Sequence, residues 1–574
     1  MECFSIDDNK SARFSLRDLL IVLSLVILVF CVYFTGLGNL EFFRHTEADR
    51  VLIAWGMVES GNYVIPSILG AEIFTKPPLF YWLVAGAIML LDSVQECVVR
   101  LPNVIFASLL VMVQYLTLRK VGFNYFFSAV GALFLASCGQ FFLLTGTAEI
   151  DLVFVFFCSV SLYLMFFALN KPSLKILIFS YIFSALAFLT KGYPIIGLVG
   201  GITLAYWISS RIFKRESLKG KASNLEFLEV HPISFGKFVV WNLCGACVFL
   251  GLIGIWIYFV LNHEYGWNYL SEYVNGEFNK RIVSNGREES VFFYLPAALI
   301  NTAPWSIFLV LGLGSFLLNK FSHFSRHKTV TNITTTQTQA NQEAPVATLP
   351  DRNYFQSDIC REFFIFNLVG LVMGIILLSI PAGKAERYFA PLLGVTSNLI
   401  LFGVWQLFYR KPTLISNKKK IFSILAIIFI LVLARGVMVY PIAKYRNQQW
   451  TVKPFISLMQ RSLPAEAPIY FEMGTVERWV AYYLKRDGRK VFILTSQLVE
   501  ERKNHDGDSY VIVSFNAWQK LSSKFNQNGI EYKEVASNVH QLSGKNSSRR
   551  AVVLIKLNNA DLDQLPSKQY IEWI

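Results

Sequence analysis

Six short stretches of this sequence carry acids or bases at the edges of apolar runs, and their residue types set the available chemistry. Carboxylates stand in "RHTEADR" as Glu47 and Asp49, and in "TGTAEIDLVF" as Glu149 and Asp151. Cations stand as Lys76 ahead of two prolines in "TKPPLFYW", as Lys191 in "FLTKGYP", and as Lys280, Arg281 and Arg287 in "GEFNKRIVSNGREE". The last stretch, "SIPAGKAERYFAP", adds Lys384 and Arg387, with Tyr388 beside them. Positioned carboxylates suit proton withdrawal. Lysine offers a phosphate a point charge and arginine a two-pronged fork.

The elements that must position these residues are membrane spans. The 574-residue chain is 54% hydrophobic and 15% aromatic with only 16% charged residues, where a soluble domain carries about a quarter. A helix crossing the hydrocarbon needs about 20 mostly apolar residues. Eleven segments qualify, at roughly 19–37, 101–118, 124–144, 150–169, 174–190, 193–210, 237–261, 291–318, 362–381, 389–409 and 421–441. The apolar run from Leu79 to Leu91 is too short to cross, and reads as an interfacial or re-entrant helix.

Charge bias orients the spans, because cytoplasmic loops collect lysine and arginine. Lys10, Arg13 and Arg17 put the N-terminus inside, and with 79–91 excluded as a crossing the pairs Arg119–Lys120 and Lys171–Lys175 fall inside too. So do "RIFKRESLKGK", "HFSRHK" and "RKPTLISNKKK". The outer face then receives 38–100 as a first loop, 145–149, the turn at Lys191, 262–290, 381–388 and everything after Tyr440. All six charged stretches gather there. A single lysine at a helix end ordinarily snorkels to headgroups, but Lys191, Lys384 and Arg387 lie in short outer turns, from which the same bias should have stripped them. An anion on that side would compensate them.

Lys76 fits this reading. Pro77 and Pro78 let a helix begin after them but not run back through the lysine. Lys76 is thereby held at the membrane surface, beside a helix N-terminus whose dipole also favours an anion. Lipid phosphates lie at that depth, and the apolar helix beyond, with Phe80, Tyr81 and Trp82, would wall a long lipid tail.

The net charge of +14 is spread in small clumps between apolar runs, as topology signals are, which argues against a nucleic-acid partner. Cys244 and Cys247 form a CxxC inside "WNLCGACVFL", where small residues packing between helices is the reading preferred over a redox or metal site. The stretch from Thr329 reads as a cytoplasmic linker. The chain divides at about 441/442. Beyond it "APIYFE", "KVFILT", "SYVIVS" and "AVVLIK" read as buried strands and "TVERWVAYYLKR" as a helix, a small extracytoplasmic α/β domain.

Taken in order, "TEADRVLIAWGMVESGNYVIPSILGAEIFTKPPLFYW", "RLPN", "FLTKG", "FFYLPAALINTAPW" and "SIPAGKAERYFAP" resemble the membrane glycosyltransferases that use polyprenyl-phosphate sugars, namely the bacterial 4-amino-4-deoxy-L-arabinose lipid A transferases and the protein O-mannosyltransferases. The resemblance implies a helical multi-span fold of the GT-C type in the bacterial inner membrane, with the active site and the C-terminal domain periplasmic. It implies a polyprenyl-phosphate sugar as donor, a lipid A, glycan or protein acceptor, and contact with membrane lipids. Lys76, Lys384 and Arg387 match family positions and would hold the lipid phosphate, with Lys191, Arg281 and Tyr388 lining the same site. The family's first loop carries an Asp-Glu pair that falls here on Thr46 and Glu47, so the catalytic carboxylate is left among Glu47, Asp151 and Asp49. The acid that often precedes the family's Lys-Pro-Pro is Thr75 here. No cofactor and no obligatory metal are expected, since a lipid donor needs no nucleotide site and the cations could replace a divalent ion. The alternatives are an O-antigen ligase or polymerase using diphosphate-linked donors, a lipid or solute transporter, and a membrane-anchored sensor.

Overall fold

Away from water a backbone must satisfy its own polar groups, so long apolar runs fold as helices. The computed structural model describes residues 14–42, 45–74, 76–219, 233–276, 290, 292–314, 358–409, 417–472, 478–505, 507–538 and 551–565. In chain order α1 (Leu16–Phe34) is followed by α2 (His45–Ser60), a hairpin of β1 (Ser67–Ile68) and β2 (Ala71–Glu72), α3 (Leu79–Leu91), α4 (Glu96–Val121), α5 (Tyr125–Ala136), α6 (Gly139–Thr145), α7 (Ile150–Asn170), α8 (Leu174–Lys191), α9 (Gly201–Lys219), α10 (Phe235–Leu261) and α11 (Gly266–Val274). Further apolar helices follow at Asp358–Ser379, Leu393–Tyr409 and Asn417–Val437. The described residues of the expected first outer loop thus carry α2, the hairpin, α3 and the start of α4, and α3 begins directly after the two prolines, with Pro78 at its N-cap.

Among the described residues eight helices are long and apolar enough to cross a membrane, or ten if two bent pairs each count as one span. The expected spans 124–144 and 291–318 are those pairs: α5 and α6 meet at 63°, and Tyr294–Asn301 meets Ser306–Gly314 at 118°. The expected span 193–210 is a shorter apolar helix, Ile196–Ile212. The two breaks satisfy each other. The Gly139 N–H donates to the Ala303 carbonyl (3.0 Å) and the Trp305 indole to the Ser137 hydroxyl (2.8 Å), so backbone freed at one bend is partnered at the other.

Helix α7 lies at the centre, buried along nearly its whole length, with α8, α4 and the Asp358–Ser379 and Leu393–Tyr409 helices against it. On α10, Cys244 and Cys247 face outward. Gly245 between them rests on Tyr181, where a Cβ would come within 2.1 Å of the ring.

The tail forms a five-stranded sheet of β3 (Ile469–Phe471), β4 (Val491–Ile493), β5 (Asp508–Ser514), β6 (Tyr532–Ser537) and β7 (Val552–Asn558), in the order β4-β3-β5-β7-β6. β3 pairs in parallel with β4 and β5, while β7 is antiparallel to β5 and β6. The four strands read from the sequence are present. The unread one, β6, is an edge strand exposing Lys533 and Glu534, with a register shift between Glu534 and Ala536, so its alternation is weak. Helix Arg478–Arg486 lies on α2. There the Tyr483 hydroxyl donates to Glu96 (2.9 Å), Lys485 pairs with Glu59 (2.6 Å), and the Ile493 N–H reaches the Leu69 carbonyl (3.0 Å). The tail and the segment between α1 and α4 thus share one packed body.

Candidate active site

The hairpin of α7 and α8 sets the centre of the site. Asp151 is in the first turn of α7 and Lys191 in the last turn of α8, the ends at which helix dipoles favour an acid and a base. Antiparallel packing brings those ends together, and the two side chains form a buried ion pair. Gly192 follows with φ +90°, and the Tyr273 hydroxyl would lie 1.8 Å from any Cβ built there, so "TKG" needs its glycine for both conformation and space. Tyr269, one turn before Tyr273 on α11, donates to the Lys76 carbonyl (2.7 Å). Helix α11 therefore bridges the Lys76 and Lys191 segments. Lys76 itself is buried, at 3% exposure, rather than open at the surface.

The short 3-10 helix Glu386–Leu392 packs on α7 and delivers Arg387 and Tyr388. The Lys191 ammonium lies 5.1 Å from the Tyr388 ring centre and 5.4 Å from that of Phe154. Arg387 lies 5.8 Å over the Tyr388 ring, with Asp151 and Glu149 as its main opposite charges and Arg50 as a like charge. Lys384 is half-buried in the same hairpin. Arg281 lies outside the described residues.

The first-loop acids are held differently. Glu47 accepts from Arg100 Nε (2.7 Å) and from the Ala148 N–H (2.9 Å), and neither Glu47 nor Arg100 is exposed. Arg100 also donates to the Leu37 (2.8 Å) and Leu40 (2.7 Å) carbonyls. One turn on, Asn103 donates to the carbonyls of Leu144, Thr147 and Glu149. The "RLPN" stretch thus pins the turn entering α7 to the first outer loop. Asp49 pairs with Arg478 of the tail (3.1 Å).

Sequence reasoning nominated Glu47, Asp49 and Asp151, and each of these already has a basic partner. Glu149, two residues before Asp151 in the same stretch, is not among those three. Glu149 is buried at 1% exposure and accepts a hydrogen bond from the Thr46 hydroxyl. Burial pushes its carboxyl above the ordinary range, Asp151 adds to that, and Arg50, Arg387 and Thr46 oppose it. Arg50 donates to the Tyr81 hydroxyl, tying α2 to α3. The signal for Glu149 was its place immediately before a helix start, two residues ahead of Asp151. Among the described residues no group of three or more His, Cys, Asp or Glu side chains could hold a metal ion.

The apolar helical bundle, with charges gathered at the ends of α2, α7 and α8 and an α/β tail seated on the segment between α1 and α4, is that of a multi-pass membrane protein. A family model described as dolichyl-phosphate-mannose-protein mannosyltransferase matches residues 75–233. The chain is 30% identical over 176 residues to an undecaprenyl phosphate-alpha-4-amino-4-deoxy-L-arabinose arabinosyl transferase of Pseudomonas aeruginosa, covering 30% of this chain and 32% of that one. It is 28% identical over 302 residues to a Proteus mirabilis protein of the same description, covering 51% of this chain and 50% of the relative. These matches span a third to a half of the curated relatives. In fold the likeness extends further: the crystal structure of ArnT from Cupriavidus metallidurans bound to undecaprenyl phosphate superposes with a TM-score of 0.63 at 16% identity, covering 94% of this chain and 98% of that chain. The resemblance read from the motifs therefore holds in local sequence and in overall fold.

Proposed function

We propose that the protein is a glycosyltransferase of the bacterial inner membrane that moves a sugar from a polyprenyl monophosphate to an acceptor on the periplasmic side. The observation that carries this reading is the cluster of Lys191, Arg387, Asp151 and Glu149, bridged through α11 to Lys76, at one end of an apolar bundle. Charges so placed need a purpose, and a phosphate carried on an apolar tail supplies one. The name of the Pseudomonas relative points to the same donor class.

In the reaction an acceptor oxygen attacks the anomeric carbon and the lipid phosphate leaves, which inverts that centre. Lys76, Lys384 and Arg387 hold the leaving phosphate, with Arg281 as a further cation. Asp151 fixes Lys191 beside Tyr388. Glu47 and Asp49, tied to Arg100 and Arg478, position the first outer loop.

The test is turnover by purified protein in lipid nanodiscs. Undecaprenyl-monophosphate and undecaprenyl-diphosphate sugars are offered against lipid A, a core oligosaccharide and a serine/threonine peptide. The expected product is undecaprenyl phosphate with the sugar on one acceptor. Turnover of diphosphate donors alone, or movement of intact donor across the bilayer without bond cleavage, would overturn the reading. Lys76→Ala is expected to lower turnover about 10²–10³-fold, the usual loss for one well-placed charge-stabilising donor, while the thermal transition stays near wild type. Unchanged turnover would remove Lys76 from the site.

A further inference from the structure

We propose that Glu149 takes the proton of the attacking acceptor, held in place by the hydroxyl of Thr46, and that the acceptor group is therefore a hydroxyl. The assignment rests on the transfer reaction proposed above.

The partners of the four acids separate their roles. A carboxylate that already neutralises a buried cation gives up that interaction when it accepts a proton. Glu47 faces Arg100, Asp49 faces Arg478 and Asp151 faces Lys191. Among the described residues Glu149 makes no direct ion pair: Arg50 and Arg387 act on it from further off, and its hydrogen-bond donor is the uncharged Thr46. Its backbone is fixed, because its carbonyl accepts from Asn103 at 2.8 Å and the neighbouring Ala148 N–H is bound to Glu47 at 2.9 Å. The side chain is thus presented from a rigid turn, beside the cluster that would hold the phosphate.

The charged groups around it are Arg50 from α2, Asp151 from α7 and Arg387 from the hairpin, with Lys191 of α8 engaged by Asp151. Burial outweighs the cations and lifts the Glu149 carboxyl above its ordinary range, which moves it toward the working pH where a general base is most effective. The step balances as follows. The acceptor oxygen bonds to the anomeric carbon as its proton passes to Glu149. The bond from that carbon to the phosphate oxygen breaks, and its electron pair leaves on the polyprenyl phosphate. Glu149 then releases the proton to solvent. A phosphate acceptor, already ionised, would need no such group.

The experiment uses full-length protein in nanodiscs with the donor–acceptor pair that wild type turns over fastest in the panel above, and undecaprenyl phosphate alone as the binding probe. Glu149→Gln is expected to lower kcat about 10²–10⁴-fold, the usual range for a general base, with undecaprenyl phosphate binding unchanged and partial recovery in Glu149→Asp. Activity requires the charged carboxylate, so it rises with pH through the Glu149 pKa. Thr46→Ala removes a hydrogen bond that favours the charged form, so the rising limb should move to higher pH. This readout remains if Glu149→Gln does not fold. Wild-type kcat in Glu149→Gln, an unmoved limb in Thr46→Ala, or a lipid A phosphate as the preferred acceptor would overturn the assignment while leaving the transferase reading intact. Wild-type protein that binds no undecaprenyl phosphate and turns over no donor would instead bring down that reading, and this assignment with it.

Discussion

Two sets of polar side chains on helices α4 and α7 differ in kind, apart from Arg119 near the end of α4, which pairs with Asp18 of α1 (2.7 Å). At one end stand Arg100, Asn103 and Asp151. About 21 Å further along α4, at about 1.5 Å per residue, Gln114 donates to Asn398 (2.6 Å). At a similar depth on α7, Tyr163 donates to Gln114 (2.5 Å), and Asn398 in turn donates to Tyr163 (3.2 Å) and Asn367 (2.9 Å). This second set is neutral and closes on itself, as interhelical polar contacts in a bilayer do. The first set holds ions, Arg100 paired with Glu47 and Asp151 paired with Lys191, and an ion costs about 2.5–3.5 kcal/mol at a helix centre. The bundle is fastened in part by amides and hydroxyls, and in the proposed reading the charged end that holds Asp151, Lys191 and Arg387 is the working end.

The sharpest way to break this contrast is at Asp151 and Lys191. Lys191→Met leaves Asp151 buried without its nearest counter-charge, which for a buried pair costs about 3–5 kcal/mol. Arg387 stays nearby, so the loss should sit at the lower end of that range. The double variant Asp151→Asn with Lys191→Met should be less destabilised than either single one, as read from thermal unfolding in detergent. Additive losses would mean that the two are not coupled, and the charged end would then resemble the neutral one.

A smaller effect is expected where the tail meets the first outer loop. Arg478 and Asp49 are 7% and 13% exposed, and a hydrogen bond to a charged group in such a place contributes about 1.5–3 kcal/mol. Arg478→Ala should lower the thermal transition accordingly and leave undecaprenyl phosphate binding nearly unchanged, since in the proposed reading this pair positions α2 and does not touch the lipid. A double-mutant cycle with Asp49→Asn measures the coupling. A coupling energy of zero would make the contact incidental, and the tail would lose its proposed part in ordering the loop.

The legibility of the molecule follows the range of its signals. Span positions and the start of α3 were readable because apolar length and the two prolines act locally. The bends at 137–138 and 302–305 were not, because each is stabilised by the other across sequence, through Gly139 with Ala303 and Trp305 with Ser137. Lys191, Arg387 and Asp151 were legible as charges in places that ordinarily exclude them. Their grouping was not, since it depends on the α7–α8 hairpin and on α11, whose tyrosines carry no charge to attract notice. Glu149 was passed over for the same reason that it now stands out: its partner is the hydroxyl of Thr46, and a threonine opposite an acid leaves no pattern in a sequence.

The smallest effect should come from the neutral set. In Gln114→Leu, Asn398 keeps Tyr163 and Asn367 as partners for its amide nitrogen, and what is lost is one amide contact and the acceptor for the Tyr163 hydroxyl. Polar contacts of this kind between membrane helices are worth about 0.6 kcal/mol on average and at most about 1.7. The variant should therefore unfold only slightly earlier and transfer sugar at the wild-type rate. Gln114→Leu with Asn398→Leu should cost less than the sum of the singles, because each single change strands a group that the other removes. If Gln114→Leu instead abolished transfer while folding normally, the polar groups deep in the bundle would be part of the reaction, and the separation of a neutral fastening from a charged working end would fail.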